Sequence, residues 1–309
     1  MPVTDPISAR PGVYGHPPAD LVAIPGDAVQ LSPVVPGGTA LEDLAPAACP
    51  GLTMLAPPGT LERRHALALA LRALAPGAPL TVLAPKDRGG SRLARELSDF
   101  GCRLDESAKR HHRIVRTARP EAPAGLDEAI AEGAPQHLAD LALWTQPGLF
   151  SWSRIDPGTA LLIETLPVLS GRGADLGCGL GILARAVLAS PQVTALALVD
   201  IDRRAVAAAR RNVADPRATI AWADARDAGS VPGRLDFVVM NPPFHDGGAE
   251  DRALGQAFIR RAAAALRPGG TLWLTANTHL PYEATLGEVF REVTQRAAAH
   301  GYKIHEARK

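Results

Sequence analysis

The chain has 309 residues, 33 of them lysine or arginine and 32 aspartate or glutamate, for a net charge of +1; 46% are hydrophobic and three are cysteine. That composition builds cores of ordinary size, enough for two domains, and excludes a disordered, fibrous or disulfide-stapled chain. A charge so near neutral gives no general signal for a polyanionic partner, so such a partner has to be read from local motifs.

Residues 1–45 are rich in proline and glycine, with short apolar stretches at 21–24 and 28–31 that suggest strands and turns. Asp5 and its neighbouring prolines do not form a basic-then-apolar leader, and no uncharged apolar run approaches the roughly 18 residues of a membrane span. Cys49, Cys102 and Cys178 lack metal-ligand spacing and fit a reducing compartment. A cytoplasmic protein, without membrane or metal, is the expectation. From Gly51 the pattern turns regular: a strand at 52–56, a helix at 61–74, a strand at 80–84, a helix at 91–100 and a strand at 113–117. That is a βαβαβ alternation. After its first strand stands Ala56-Pro57-Pro58-Gly59, with prolines where close approach of a cofactor needs glycine.

Within 109–119, Lys109, Arg110, Arg113, Arg116 and Arg119 gather with His111 and His112, and no acid interrupts them. Arg113 and Arg116 would suit RNA phosphates. The same run would equally suit a charged edge strand that resists aggregation. The two histidines have no third ligand at metal spacing. Residues 121–140 read as a bridge between halves. Phe150 and Trp152 follow it, either in a lid over a bound ligand or as packing residues at the domain seam. Divided at residue 145, the halves hold 14 basic and 16 acidic residues, then 19 and 16, or −2 against +3.

The second half, 146–309, carries the chemistry. Asp175-Leu176-Gly177-Cys178-Gly179-Leu180-Gly181 turns a strand into a helix at 182–189 through glycines, which lets a ligand approach the backbone. The spacing departs from the dinucleotide fingerprint, which would require glycine where Ile182 stands. Cys178 has no base near it in the sequence and reads as a small filler. A strand at 193–199 ends at Asp200, 25 positions beyond Asp175 and placed to bind ribose hydroxyls. Asp202 reads as the cap of a helix at 203–212. A strand at 218–222 precedes Asp224, which is either an acceptor for an adenine amine or a solvated loop acid. The apolar run 237–240 leads into Asn241-Pro242-Pro243-Phe244. A helix at 251–266 stops at Arg267-Pro268-Gly269-Gly270 before a strand at 271–275. Residues 285–299 have helical composition.

The tetrapeptide suits one kind of chemistry. An exocyclic base amine or a side-chain amide is a poor nucleophile because its lone pair is delocalised. Two fixed carbonyl oxygens that accept both of its N–H hydrogens turn the lone pair towards an electrophile, and the prolines stiffen the corner. The Asn241 amide oxygen and the Pro242 backbone oxygen are the candidate acceptors, with Phe244 as a stacking plate. The plain alternative is a proline-rich turn that ends a buried strand.

In this order, the glycine loop, Asp200, Asp224 and Asn-Pro-Pro-Phe resemble the class I S-adenosyl-L-methionine-dependent methyltransferases. More narrowly, the chain resembles the guanine-N2 methyltransferases of small-subunit ribosomal RNA. Pro147-Gly148-Leu149-Phe150-Ser151, the stretch 156–159, the run 241–247 (NPPFHDG), Ala276-Asn277 and Leu280-Pro281-Tyr282 carry that resemblance across 146–309; the first half matches loosely. It implies a Rossmann-like methyltransferase domain with a mostly parallel seven-stranded sheet at 146–309. A degenerate α/β copy of related fold would precede it at 1–145, kept for substrate recognition or as a brace. It implies that Asp175, Gly177, Gly179 and Gly181 hold the methionine part of the cofactor, Asp200 the ribose and Asp224 the adenine. Asn241, Pro242 and Phe244 would hold the target amine. Phe150 and His245 are further candidates beside the substrate, and ribosomal RNA or the small subunit is the implied partner. The resemblance also places a strand near 292–296, against the local composition, while the short tail after Tyr302 leaves the edge of the sheet open.

The reaction so implied is displacement of a sulfonium methyl by an amine nitrogen, needing no metal and no strong base. His245 and Asp246 either assist or shape the loop. Methylation of a glutamine amide in a protein uses a similar tetrapeptide, usually with tyrosine at its fourth position; Phe244 and an α/β first half speak against it. Adenine methylation in DNA would bring a target-recognition domain. A cofactor-binding regulator would not depend on Asn241. A dehydrogenase would need a hydride-site histidine or tyrosine–lysine pair.

Overall fold

The computed structural model describes residues 10–243, 245–246, 249–250 and 252–309. The chain forms two compact units that divide between Ala134 and Pro135, eleven residues before the expected boundary at 145. The difference is a hairpin, β7 (Gln136–Leu138) and β8 (Leu143–Thr145), that belongs to the second unit. Trp144 N–H donates to Asn212 Oδ1 at 2.7 Å, and Arg211 lies over the Trp144 ring.

The first unit holds β1 (Gly12–Tyr14), β2 (Val29–Gln30), β3 (Leu52–Leu55), α1 (Thr60–Ala73), β4 (Pro79–Pro85), α2 (Leu93–Asp99), β5 (Asp105–Lys109), β6 (His112–Ala118) and α3 (Leu126–Glu132). Its sheet runs β2-β1-β3-β4-β6-β5. The first four strands are parallel, whereas β6 is antiparallel to β4 and β5 is antiparallel to β6. The second βαβ crossing of the expected alternation is therefore absent: the strand at 113–117 returns antiparallel through a hairpin. Lys109 pairs with His112, so Arg110 and His111 alone make the turn, both at positive φ, 47° and 61°. That is the dihedral pattern of a two-residue hairpin loop, here built without glycine. The hairpin also brings acids to the basic run: Arg110 pairs with Asp20, and Arg116 faces Asp105 across the strands. Arg119 donates to the carbonyls of Leu71 and Pro120.

The turn after β3 is filled by the protein itself. Arg63 is fully buried; it donates to Pro57 O at 3.2 Å and Pro58 O at 2.7 Å, and forms a two-pronged ion pair with Glu96 at 2.7 Å. A buried guanidinium needs such complete pairing, and here it occupies the end of the strand where a ligand would approach.

The second unit continues with α4 (Pro157–Thr165), β9 (Gly171–Leu176), α5 (Ile182–Leu188), β10 (Val193–Asp200), α6 (Arg203–Asn212), β11 (Ala218–Trp222), β12 (Leu235–Met240), β13 (His245–Asp246), β14 (Ala249–Glu250), α7 (Arg252–Ala265), β15 (Leu266–Asn277), α8 (Glu283–Val289), β16 (Glu292–Ala299) and β17 (Tyr302–Arg308). The seven-stranded sheet runs β11-β10-β9-β12-β15-β17-β16, parallel as far as β15 and antiparallel at β17. Apolar residues cover both faces, as a parallel sheet requires: Val238, Met240 and Leu274 belong to one core, Phe237, Val239 and Trp273 to the other. The helical composition of 285–299 is overridden after Val289. Pairing of β16 with β17 outweighs propensity, and the two-residue turn His300-Gly301, with φ of 53° and 81°, closes the hairpin. The sheet edge that the short tail left open is this hairpin. Among the described residues, no helix is long and apolar enough to cross a membrane.

Candidate active site

In the second sheet the chain steps outward from β9 through β10 to β11, then returns to the other side of β9 with β12. Such a reversal opens a crevice at the carboxyl ends of the two central strands. The glycine loop follows β9 and the Asn241-Pro242-Pro243 corner follows β12, with Asp175 opposite Val239 in the register. The two loops are near neighbours: a Cβ placed on Gly177 would lie 3.8 Å from Pro243 Cδ.

Gly177, Gly179 and Gly181 have φ of 72°, 52° and 78°, a region that side-chain-bearing residues avoid. Their surroundings separate their work. A Cβ on Gly181 would stand 2.6 Å from Val213 Cγ2, so this glycine lets α5 begin close to α6. A Cβ on Gly179 would meet nothing within 4 Å, which leaves bare backbone open to a ligand. Asp200 buttresses the loop from the end of β10. Its Oδ2 accepts from Gly179 N–H and its Oδ1 from Asp202 N–H, each at 2.8 Å. Asp202 caps α6 by accepting from Arg204 N–H and pairs with the Arg204 guanidinium.

Asp175 is 1% exposed, and among the described residues neither carboxyl oxygen has a hydrogen-bond partner. Burial, and after it the charge of Asp200, push its pKa up to about 8; the Ala184 amide pulls the other way without closing a hydrogen bond. A carboxyl this deep is costly until a donor completes it. Burial raises Asp200 to about 6 against the opposing pull of the Asp202 and Gly179 amides. Burial, then Asp200 and Asp175, drive the Cys178 thiol well above its ordinary range, which suits a filler and not a nucleophile. Asp224, after β11, is held below the usual carboxylate range chiefly by Arg226, whose Nε and Nη2 grip it at 2.9 and 2.5 Å. A further donor at Asp224 has to share the acid with that guanidinium.

The Asn241 amide is fixed by its own neighbours. Its Nδ2 donates to Asp156 Oδ2 at 3.0 Å and to Thr159 Oγ1 at 2.9 Å. Asp156, 6% exposed, also caps α4 by accepting from Thr159 N–H at 2.8 Å, and takes a third bond from the Tyr302 hydroxyl at 3.1 Å. Pro242 is buried. Phe244 lies outside the described residues, as does the side chain of His245, whose backbone is in β13. Phe150 is 56% exposed; its neighbours Leu149 and Trp152 pack on Leu180 of the glycine loop and on Ala205 and Ala208. Arg113 and Arg116 belong to β6, in the first unit.

Asp156, Thr159 and Tyr302 had no assigned role in the sequence. Asp-Pro-Gly-Thr does carry a helix-start signature, a capping acid with proline at the first position. Nothing local marks Tyr302, which meets Asp156 across 146 positions. Among the described residues, no group of three or more His, Cys, Asp or Glu side chains is placed to hold a metal ion.

Residues 140–306 match the family model described as the methyltransferase small domain. The chain is similar to proteins named ribosomal RNA small subunit methyltransferase C. It is 38% identical to that of Chromohalobacter salexigens over 289 residues, covering 86% of this chain and 81% of the relative. To that of Pseudomonas aeruginosa it is 32% identical over 290 residues, covering 92% and 87%. Among solved structures, a T. thermophilus 16S rRNA N2 methyltransferase, in complex with AdoMet and guanosine, superimposes with a TM-score of 0.79. At 23% identity, that match covers 99% of this chain and 92% of the other and supports the two-unit fold.

Proposed function

The chain belongs to the ribosomal RNA small subunit methyltransferase C family, and on that premise we propose that it methylates the exocyclic N2 amine of a guanine in small-subunit (16S) ribosomal RNA. It is a methyltransferase, and its methyl donor is S-adenosyl-L-methionine. The residues present fit that donor: the unpartnered carboxyl of Asp175 wants a cationic amine, and the bare side of Gly179 leaves room against the backbone. Asp175 and the turn from Gly177 to Gly181 would hold the methionine part, Asp200 the ribose hydroxyls, and Asp224, shared with Arg226, the adenine. When bound, the donor supplies a methyl group on a sulfonium centre, ready for a nitrogen nucleophile.

The observation that carries this reading is the locked amide of Asn241. With Nδ2 spent on Asp156 and Thr159, Oδ1 is the atom left for a substrate. Asn241 Oδ1 and the Pro242 carbonyl then take the two N–H bonds of the target amine and aim its lone pair. The chain need supply no base, because a nitrogen that gains a fourth substituent becomes acidic and yields its proton to water. The base has to be unpaired or extruded to reach the crevice. Phe150 is presented to it or to a neighbouring base, and Phe244 is assigned the stacking role. Arg113 and Arg116 are assigned to RNA backbone, and the first unit, its ligand turn filled by Arg63, to substrate recognition or bracing. Three free cysteines fit action in the cytoplasm.

Labelled methyl groups should pass from S-adenosylmethionine to small-subunit RNA and appear, on nucleoside analysis, as N2-methylguanosine. Label in protein or in methyladenosine instead would refute the proposal.

The titration of Asp175 gives a second expectation. Its folded value of about 8 lies above its ordinary 3.8. The stability linked to its proton is therefore complete below pH 3.8 and lost as pH rises towards 8. A cationic amino group laid against it reverses the preference and expels the proton. Cofactor binding should tighten from about pH 6 to about pH 7.5 and release a proton, read by calorimetry in buffers of different ionisation enthalpy. Asp175→Asn should flatten that dependence; an equally steep one in the variant would take the effect away from Asp175.

A further inference from the structure

We infer that Asp156 is a positioning residue for methyl transfer, one that sets which face of the Asn241 amide meets the substrate; the inference rests on the function proposed above. A carboxylate oxygen only accepts hydrogen bonds, so the amide atom 3.0 Å from Asp156 Oδ2 has to be nitrogen. The second hydrogen of that nitrogen goes to Thr159 Oγ1, and the amide plane is fixed by two bonds instead of one. A flipped amide would set its own oxygen against the carboxylate and offer the target amine a donor where it needs an acceptor.

Asp156 is held in turn from three directions, by the Thr159 amide at the start of α4, by Asn241 after β12 and by the Tyr302 hydroxyl at the start of β17. Gly158 permits this meeting, since a Cβ there would stand 2.5 Å from Tyr302 Cδ1. The same oxygen, Oδ2, serves both the helix cap and Asn241. That shared atom lets a pair of substitutions tell positioning from capping.

Serine is as good a cap as aspartate, but its hydroxyl is too short to hold Asn241 as well. Asparagine keeps a carbonyl oxygen where Oδ2 stands and turns its NH₂ to the Tyr302 oxygen. In the full-length protein, Asp156→Ser should lower kcat for methyl transfer to small-subunit RNA by about 10- to 100-fold. Cofactor Kd should hold, Tm should fall modestly because Asn241 and Tyr302 each lose an acceptor, and Asp156→Asn should restore both turnover, to within a few-fold, and Tm. Equal, near-normal rates in both variants would reduce Asp156 to a helix cap; equal losses in both would assign the effect to its charge. Either result overturns the inference and leaves the proposed function standing, whereas no transfer by the unaltered protein overturns both. Should Asp156→Ser fail to fold, Thr159→Val against Thr159→Ser asks the same question, because only the valine lacks an oxygen for Asn241. The inference then requires loss with valine and retention with serine.

Discussion

Asn241→Ala is expected to lower the rate of methyl transfer by about two to three orders of magnitude, the usual effect of deleting one preorganised polar partner of a reacting group. Cofactor affinity should stay within about threefold, because the glycine loop is braced by Asp200 and not by Asn241. The side chain does touch Asp156 and Thr159, so truncation leaves two buried acceptors short of a donor and some loss of Tm is expected. Rate and stability are separable here. The Tyr302 and Thr159 bonds to Asp156 persist in the variant and keep α4 capped. Parallel collapse of turnover and cofactor binding, measured by single-turnover kinetics and calorimetry, would make Asn241 a structural residue and remove the assigned role.

The second large effect belongs to Asp200. Its carboxylate ties Gly179 to Asp202 through two charge-assisted bonds, each contributing about 1.5–3 kcal/mol in such settings. Its remaining lone pairs are the acceptors proposed for ribose hydroxyls. Asp200→Ala should weaken cofactor binding by about a hundredfold or more. Asp202→Ala is the control: it should cost about 1 kcal/mol of helix stability through the lost cap while cofactor affinity changes only a few-fold. If the two variants lose affinity equally, the acid at the end of β10 has no special tie to the ligand.

The parts of the site that were legible in the sequence are those whose chemistry is local. Glycines at three alternate positions after an apolar strand announce a turn that needs positive φ, and they are where such a turn occurs. Asp202 precedes a helix as a cap should, and the apolar runs of β10 and β12 are read from composition alone. What stayed hidden depends on partners far along the chain or on residues that break local habit. The Arg110-His111 turn has no glycine, so nothing local announces the hairpin that stands where the composition suggests a βαβ repeat. Residues 292–299 include three consecutive alanines, yet pairing with β17 makes them a strand. Ala134 and Pro135 mark the division between units because the hairpin after them is tied to Asn212, 68 positions beyond Trp144. Nothing local distinguishes Arg63 from any other helical arginine; its burial against Glu96, Pro57 and Pro58 depends on residues up to 33 positions away. Asp156 and Tyr302 follow the same rule: the local Asp-Pro signature marks the first only as a helix start, and nothing local marks either as a support for Asn241.

The central claim concerns which atoms receive the target amine, and a crystal structure of the protein with S-adenosylhomocysteine and guanosine addresses it directly. The guanine N2 should lie within hydrogen-bonding distance, about 2.7–3.2 Å, of both Asn241 Oδ1 and the Pro242 carbonyl oxygen. A base seated with another edge against that corner, or held elsewhere while the Asn241 oxygen turns inward, would contradict it.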